Sequence, residues 1–256
     1  MLKIGITGVD GFIGRNLSLA VERQPELFAL VEFDRSYFTN VALLRKFVLQ
    51  CDVIVHLAAL SRHPVAGVVF ENNVRLTKQL ISAMQVDNAK PYLIFASSIH
   101  DGDDSEYARS KRMECELLGN WARVSNSNFS CLVLNNIYGP FCKPNYASFV
   151  ATFCDLLSRN EKPKILVDKA VELTYIDNLT GYILNKVANV EFGKKAIDEY
   201  VRVPSDAEIK VSAVLDMLTE FKERYIEYKN KGIFRDDFQE NMFKTFSSYF
   251  ECNQES

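Results

Sequence analysis

The sequence predicts a doubly wound α/β fold, a parallel sheet covered by helices on both faces, and three observations point to it. Five short apolar runs, "KIGIT" (3–7), "FALVEF" (28–33), "DVIVHL" (52–57), "YLIFAS" (92–97) and "FSCLVLN" (129–135), show hardly any polar alternation. Strands of that kind are buried on both faces. Helical patterns alternate with them: "GFIGRNLSLAVERQ", "NVALLRKFVLQ", "NNVRLTKQLISAMQ" and "SEYARSKRMECELLGNWARV". A glycine-rich turn, "TGVDGFIG", follows the first strand directly. Ligands of such folds bind outside the carboxyl ends of the strands.

Beyond Tyr138 the rhythm changes. "SFVATFCDLLSRN" is helical, "KILV" (164–167) and "VELTYI" (171–176) are short and strand-like, "SDAEIKVSAVLDMLTEFKERYIEYKNK" (205–231) reads as one strong amphipathic helix, and only the tail "ECNQES" resembles fraying sequence. The 256 residues, 48% hydrophobic, suffice for one large core. We expect one domain across 1–256, with 1–135 mainly a dinucleotide-binding core and 136–256 mainly a smaller substrate-binding lobe.

Net charge is −3, so no basic field exists to displace counterions from a nucleic acid, and no Lys/Arg run is built to grip anionic lipid. The expected partner is a small molecule, with neither nucleic acid nor membrane. The six cysteines (51, 115, 131, 142, 154 and 252) form no C-x-x-C pair and no metal-ligand spacing. Reduced thiols and no metal are expected. "MLKIGITGVDG" lacks the pattern of a secretory leader and no apolar stretch reaches the length of a membrane span, so a cytoplasmic location is expected.

Gly8, Gly11 and Gly14 stand at G-x-x-G-x-x-G spacing, with a helix opening near Phe12 and Ile13. The first glycine permits the tight turn, the second lets backbone approach a pyrophosphate, and the third lets the helix sit close to the strand. Unpaired N–H groups at the helix start would meet the phosphates. The second strand ends in "EFDRS": Asp34 suits the ribose hydroxyls of NAD, Arg35 the 2′-phosphate of NADP, and the two signals conflict.

In "FASSIHDGDDSEYARSK" (95–111), Tyr107 and Lys111 are four residues apart and project from one helix face. A phenol ordinarily titrates near pH 10, and a neighbouring ammonium favours its anion. Ser98, rather than Ser97, is placed to bond an oxygen on which charge develops while Tyr107 moves the proton. A Y-x-x-x-K pattern alone arises by chance in many helices. Its place after a phosphate turn and a strand ending in serine gives it weight, because that is the order of parts needed to hold a nicotinamide against a carbonyl.

"TGVDGFIG", "VIVHLAA" (53–59), "ASSI" (96–99), "NNVRLTKQL", "YARSK" (107–111) and "NNIYGP" (135–140) together resemble the extended short-chain dehydrogenase/reductase family of nucleotide-sugar epimerases, dehydratases and reductases. Further similarity, in "CKPNYASFVATFCDLLSRN", "VELTYIDN" and "LDMLTEFKERYIEYKNKGIF", is to the reductase domain of capsular-polysaccharide enzymes acting on a UDP-2-acetamido-2,6-dideoxy-hexos-4-ulose. The resemblance implies a Rossmann fold, catalysis by Ser98, Tyr107 and Lys111, and NADPH as coenzyme with NAD the alternative. Gly8, Gly11, Phe12, Ile13, Gly14, Asp34, Arg35, Leu57, Ala58, Ala59 and Lys111 would contact the coenzyme. It implies a homodimer paired through helices including the one bearing Tyr107. The family's arginine three residues before Asn136 is here Val133, and Ala108 stands where glycine usually follows the tyrosine. Those capsular enzymes continue into a metal-binding cupin domain, while this sequence ends at Ser256, which leaves a stand-alone reductase or the loss of half of the activity as expectations.

A UDP-sugar would meet Ser98 and the polar groups after Tyr138: Lys143 at the diphosphate, and Asn136, Asn145 and Tyr146 at the sugar or uracil. A solvated loop closed by Pro140 and Pro144 is the bland alternative. His56 reads as a packed, hydrogen-bonded core residue, His63 and Arg62 as loop residues, and Trp121 and the C-terminal phenylalanines as core. The readings are a reductase of a UDP-4-keto-6-deoxy sugar, a nucleotide-sugar 4-epimerase or dehydratase with bound NAD, and a non-catalytic dinucleotide-binding regulator. Ile99 and His100, where a dehydratase would carry Asp-Glu, argue against dehydration.

Overall fold

The computed structural model describes residues 1–98, 104–192 and 196–254, without the side chains of Glu199 and 252–254. Ile99, His100 and the loop through Asp103, and the Cys252 thiol, lie outside the described residues. The chain divides into two compact units, Met1–Leu134 with Thr180–Val203, and Asn135–Leu179 with Pro204–Ser256.

In the first unit the strands are β1 (Leu2–Thr7), β2 (Phe28–Val31), β3 (Val53–His56), β4 (Tyr92–Ser98) and β5 (Phe129–Leu134). Their neighbours in the chain are α1 (Phe12–Glu22), a 3₁₀ turn (Arg35–Thr39), α2 (Val41–Gln50), α3 (Val68–Val86) and α4 (Glu106–Ser125). Following the second unit's elements β6 (Asn136–Tyr138), α5 (Phe149–Ser158) and β7 (Ala170–Tyr175), helix α6 (Ile176–Ala188) leads to β8 (Ile197–Arg202). β8 completes an all-parallel sheet of order β2-β1-β3-β4-β5-β8.

The apolar runs become strands because both sheet faces are covered. Ile4, Val53, Ile54, Val55, Leu93, Phe95, Phe129 and Cys131 are fully buried. Phe47 of α2, Leu80 and Met84 of α3, and Leu118 and Trp121 of α4 join Ile54, Leu93, Phe95 and Phe129 in one cluster. The order reverses at β1, which has β2 on one side and β3 on the other, so the carboxyl ends of β1 and β3 meet at the sheet's switch point.

The second unit holds a small sheet in which β6 pairs parallel with β7, and β7 antiparallel with β9 (Ala207–Lys210). Helices α7 (Val211–Glu223), α8 (Tyr225–Lys231) and α9 (Asp237–Gln254) follow. Phe221 is fully buried and packs edge-on to Tyr228 and Phe243. The Tyr249 hydroxyl bonds to the Cys142 carbonyl.

Several expectations need correction. "KILV" forms no strand: Leu166 and Val167 are 93% and 66% exposed, so the run buries no apolar face. The single helix expected over 205–231 is three elements. "AEIK" pairs antiparallel with the edge that β7 offers, and Asp168 accepts from the Ser212 N–H and hydroxyl in the first turn of α7, both at 2.9 Å. The helix breaks at Arg224 before α8. The tail is not frayed at its start, since α9 runs to Gln254 and Glu251 accepts bonds from Tyr225 and Lys229 at 2.7 Å. Phe141 and Phe192 are surface residues, not core.

Phe221→Ala would empty the centre of the second unit's aromatic cluster. We expect a loss of about 3–5 kcal/mol of stability, read as a lowered urea midpoint with unchanged slope.

Candidate active site

The turn after β1 is shaped by close approach. Gly8 adopts φ +79°, and a Cβ there would come within 2.8 Å of the Ala58 nitrogen. At Gly14 a Cβ would collide with the Gly8 carbonyl oxygen and approach the Val9 Cα to 2.8 Å. Gly11 is the N-cap of α1, with no side chain capping the helix. Its own N–H donates to the Gly8 carbonyl at 3.0 Å. The first N–H groups of α1, from Phe12 onward, therefore open beside a tight, side-chain-free turn, which fits a pyrophosphate. Leu57 and Ala58, half-buried, and exposed Ala59 continue from β3 alongside, tied to β1 by the Leu57 N–H donating to the Thr7 carbonyl at 3.1 Å.

Asp34 and Arg35 sit exposed beyond β2. Asp34 Oδ1 caps the 3₁₀ turn by accepting from the Ser36 N–H at 2.8 Å, and the Ser36 side chain, with this backbone bond second, lowers the Asp34 pKa below the usual carboxylate value. One carboxylate oxygen is thus committed locally.

Ser98 is the last residue of β4 and is half-buried, while Ser97 is buried. Ser105 caps α4 by accepting from the Ala108 N–H at 3.2 Å, which places Tyr107 in the helix's first turn. Tyr107 is half-buried. One turn on, Lys111 is 2% exposed, its ammonium 5.6 Å from the Tyr107 ring centre and 4.5 Å from that of Phe95. Burial pushes the Lys111 pKa down, but Glu114 and Tyr107 push harder the other way and leave it raised.

Residues that sequence reasoning missed, Glu114, Thr77, Thr7 and Asn73, complete this wall together with His56, the bonded core residue expected. Glu114 lies 3.6 Å from the Lys111 ammonium and accepts from the Thr77 hydroxyl at 3.0 Å. His56 Nε2 is 3.1 Å from the same hydroxyl and Nδ1 is 2.7 Å from that of Thr7. Asn73 bonds to both the N–H and the carbonyl of Leu60 and to the Ser110 hydroxyl, pinning the loop after β3 to α4. A polar residue on an otherwise apolar helix face is the signal they left: Asn73, Thr77 and Glu114 are all fully buried.

In the second unit, Asn136 spends its amide N–H on the Glu172 carbonyl of β7 at 3.0 Å. Lys143 and Tyr146, both exposed, are brought together with the ammonium 5.6 Å from the ring centre. Asn145 between them adopts φ +55°, and its N–H donates to Thr152 at 2.9 Å. Exposed Arg62 and His63 lie in the loop after β3, where His63 Nδ1 accepts from the Val65 N–H at 3.1 Å. Among the described residues no group of three His, Cys, Asp or Glu is arranged to hold a metal, and no helix is long and apolar enough to cross a membrane.

With this geometry in place, the model of one family, described as the NAD dependent epimerase/dehydratase family, matches residues 4–196. The chain belongs to that family. Its fold is that of the extended short-chain dehydrogenase/reductase type. A UDP-2-acetamido-2,6-beta-L-arabino-hexul-4-ose reductase of Pseudomonas aeruginosa is 30% identical over 226 residues, covering 86% of this chain and 58% of the relative. This member therefore spans somewhat more than half of that relative's length. The capsular polysaccharide assembling protein CapF of Staphylococcus aureus superposes with TM-score 0.77 at 25% identity, over 100% of this chain and 67% of the other. RMD of Pseudomonas aeruginosa, solved with NADPH, has TM-score 0.80 at 15% identity over 98% and 100%, a likeness of fold.

For a family member bound to its dinucleotide, Gly14→Ala forces α1 away from the turn. Coenzyme affinity is expected to fall at least about tenfold and stability by about 1–3 kcal/mol, measured by fluorescence titration and thermal unfolding.

Proposed function

We propose that this protein is an NAD(P)H-dependent reductase of a nucleotide-activated 4-keto-6-deoxy sugar, a UDP-2-acetamido-2,6-dideoxy-hexos-4-ulose, in capsular or O-antigen polysaccharide assembly. The observation that carries this reading is the buried Lys111 ammonium one helical turn from Tyr107, at the carboxyl edge of the parallel sheet. The similarity to the Pseudomonas aeruginosa reductase over most of this chain supports the sugar class.

The coenzyme, when bound, supplies a hydride to the C4 ketone. Gly8, Gly11 and Gly14 leave room for its pyrophosphate, with Phe12, Ile13, Leu57, Ala58 and Ala59 around it and Asp34 and Arg35 at the adenosine end. Ser98 donates a hydrogen bond to the ketone oxygen, and Tyr107 gives that oxygen its proton as negative charge develops. Lys111 stabilises the phenolate left behind and offers N–H donors to the nicotinamide ribose. The second unit, Asn135–Leu179 with Pro204–Ser256 rather than all of 136–256, takes the UDP-sugar in this reading, with Lys143 toward the diphosphate and Asn136, Asn145 and Tyr146 toward the sugar or uracil.

A second reading, a 4-epimerase with tightly held NAD, draws on Asp34, an exposed carboxylate just beyond β2 that suits ribose hydroxyls. Parallel assays with NADPH and NADH separate the two. Net oxidation of NADPH by the 4-keto sugar is expected, and copurified NAD with no net coenzyme turnover would establish the epimerase instead. Arg35→Ala should raise the KM for NADPH while leaving that for NADH unchanged. Tyr107→Phe should lower kcat by about 10²–10⁴-fold with little change in coenzyme affinity.

A further inference from the structure

The Tyr-x-x-x-Lys pattern asks for two residues, yet Lys111 does not stand on them alone. Its ammonium is enclosed by Phe95 of β4 and by Tyr107 and Glu114 of α4, with the Cys131 thiol of β5 acting on it as well. Glu114 is itself fully buried, and among the described residues its Oε2 has no partner at ordinary hydrogen-bond distance; the cation it faces is Lys111 at 3.6 Å. Oε1 is held by Thr77.

Hydrogen-bond inventory fixes the direction of the chain behind it. The Ala58 N–H can only donate, and it reaches the Thr7 hydroxyl at 3.3 Å. An ionised Glu114 can only accept, so the Thr77 hydroxyl donates its hydrogen bond to it and must itself accept from His56 Nε2–H. His56 Nδ1 then accepts from the Thr7 hydroxyl. Burial, with Lys111 adding, pushes His56 down to about 3, so the ring is neutral and its 4.0 Å approach to Glu114 is no ion pair. Every donor in the series Ala58, Thr7, His56, Thr77, Glu114 has one acceptor, and the series ends at the carboxylate that faces Lys111. Burial pushes the Glu114 pKa up and the facing Lys111 ammonium and the Thr77 hydroxyl pull it back, so the ion pair at 3.6 Å is what holds the carboxyl in its charged form.

We propose that Glu114 is a positioning residue for the reduction: its carboxylate keeps the Lys111 ammonium charged and fixed beside Tyr107, and the chain through Thr77, His56 and Thr7 ties that ammonium to the backbone at Ala58 beside the glycine turn. The proposal rests on Tyr107 and Lys111 being the catalytic pair. A buried ion pair contributes little net stability over an apolar pair of similar shape, so stability alone gives no reason for a carboxylate here. Glu114 touches neither reacting atom and acts through Lys111.

Glu114→Gln keeps shape and can still accept from Thr77, but removes the charge. We expect kcat for NADPH oxidation with the UDP-4-keto sugar to fall about 10–100-fold with KM for the sugar unchanged, as for a misplaced reacting group. The alkaline limb of the kcat profile should move to lower pH, because the carboxylate that raises the Lys111 pKa is gone. In the coenzyme-free protein, the Lys111 resonance in ¹³C-lysine NMR, assigned by its loss in Lys111→Met, should likewise titrate at lower pH than in the parent protein. A Glu114→Gln protein with a lower melting temperature but unchanged kcat, alkaline limb and Lys111 titration overturns the proposal and leaves a structural role. Should Glu114→Gln not fold, Thr77→Val frees the carboxylate instead: reduced kcat at unchanged KM supports the proposal, and unchanged kcat overturns it. Tyr107→Phe and Lys111→Met run alongside: if both retain full activity the catalytic pair itself is wrong, whereas their inactivity beside a normal Glu114→Gln removes only the positioning role.

Discussion

Lys111 brings a positive charge into the interior of the α/β unit, and a buried ammonium persists only where other groups replace the water it has lost. Phe95 presents a ring face 4.5 Å away and Glu114 a carboxylate at 3.6 Å. Neither would suffice if it could move. Phe95 is locked in β4 between β3 and β5, and Glu114 is held by Thr77 from α3. The packing of α3 against α4 over the sheet is therefore also what keeps the charge in place, so core and chemistry cannot be varied independently at this point.

The sheet's switch point imposes the second requirement. Where β1 has a neighbour on each side, the segments leaving β1 and β3 run against each other at Gly8 and Ala58, and ligands of such folds take the crevice outside these carboxyl ends. That crevice admits a dinucleotide only if α1 approaches the turn closely, and the contacts a side chain would make at Gly8 and Gly14 measure how closely it does so. Thr7 stands at the same edge and bonds to Ala58 by its hydroxyl, so the wall of the crevice and the chain leading to Glu114 share a residue.

Legibility from sequence followed the physics of burial. β1, β3, β4 and β5 lie within a residue or two of their apolar runs because two-sided burial leaves a pattern that needs no partner to be seen. β2 ends two residues earlier than its run, at Val31. β8 was not seen, since Asp198 and Arg202 break its apolar character; Asp198 is accommodated by Lys186 at 3.0 Å and by the Ser130 hydroxyl. "AEIK" contains good helix formers and became a strand only because β7 offered an edge. Tyr107 and Lys111 were legible because four residues make one helical turn. Glu114, Thr77 and Thr7 were not, because they come from three elements, with His56 from a fourth, and register brings them together across 21 to 49 residues of sequence. His56 is the packed, bonded core residue its apolar setting suggested.

The one-way hydrogen-bond series has a consequence for how the site responds to change. Its two ends are fixed in role, an N–H that cannot accept and a carboxylate that cannot donate, so the tautomer of His56 between them is dictated rather than chosen. Without the Thr77 hydroxyl, two buried groups, His56 Nε2–H and Glu114 Oε1, would lose partners at about 1–3 kcal/mol each. Replacing Thr77 and Glu114 together by apolar groups would remove that penalty but strand the Lys111 ammonium. The lysine is thus the member that obliges the others to be polar, and a chain of neutral and acidic side chains reaching back to Ala58 is the form that obligation takes in this fold.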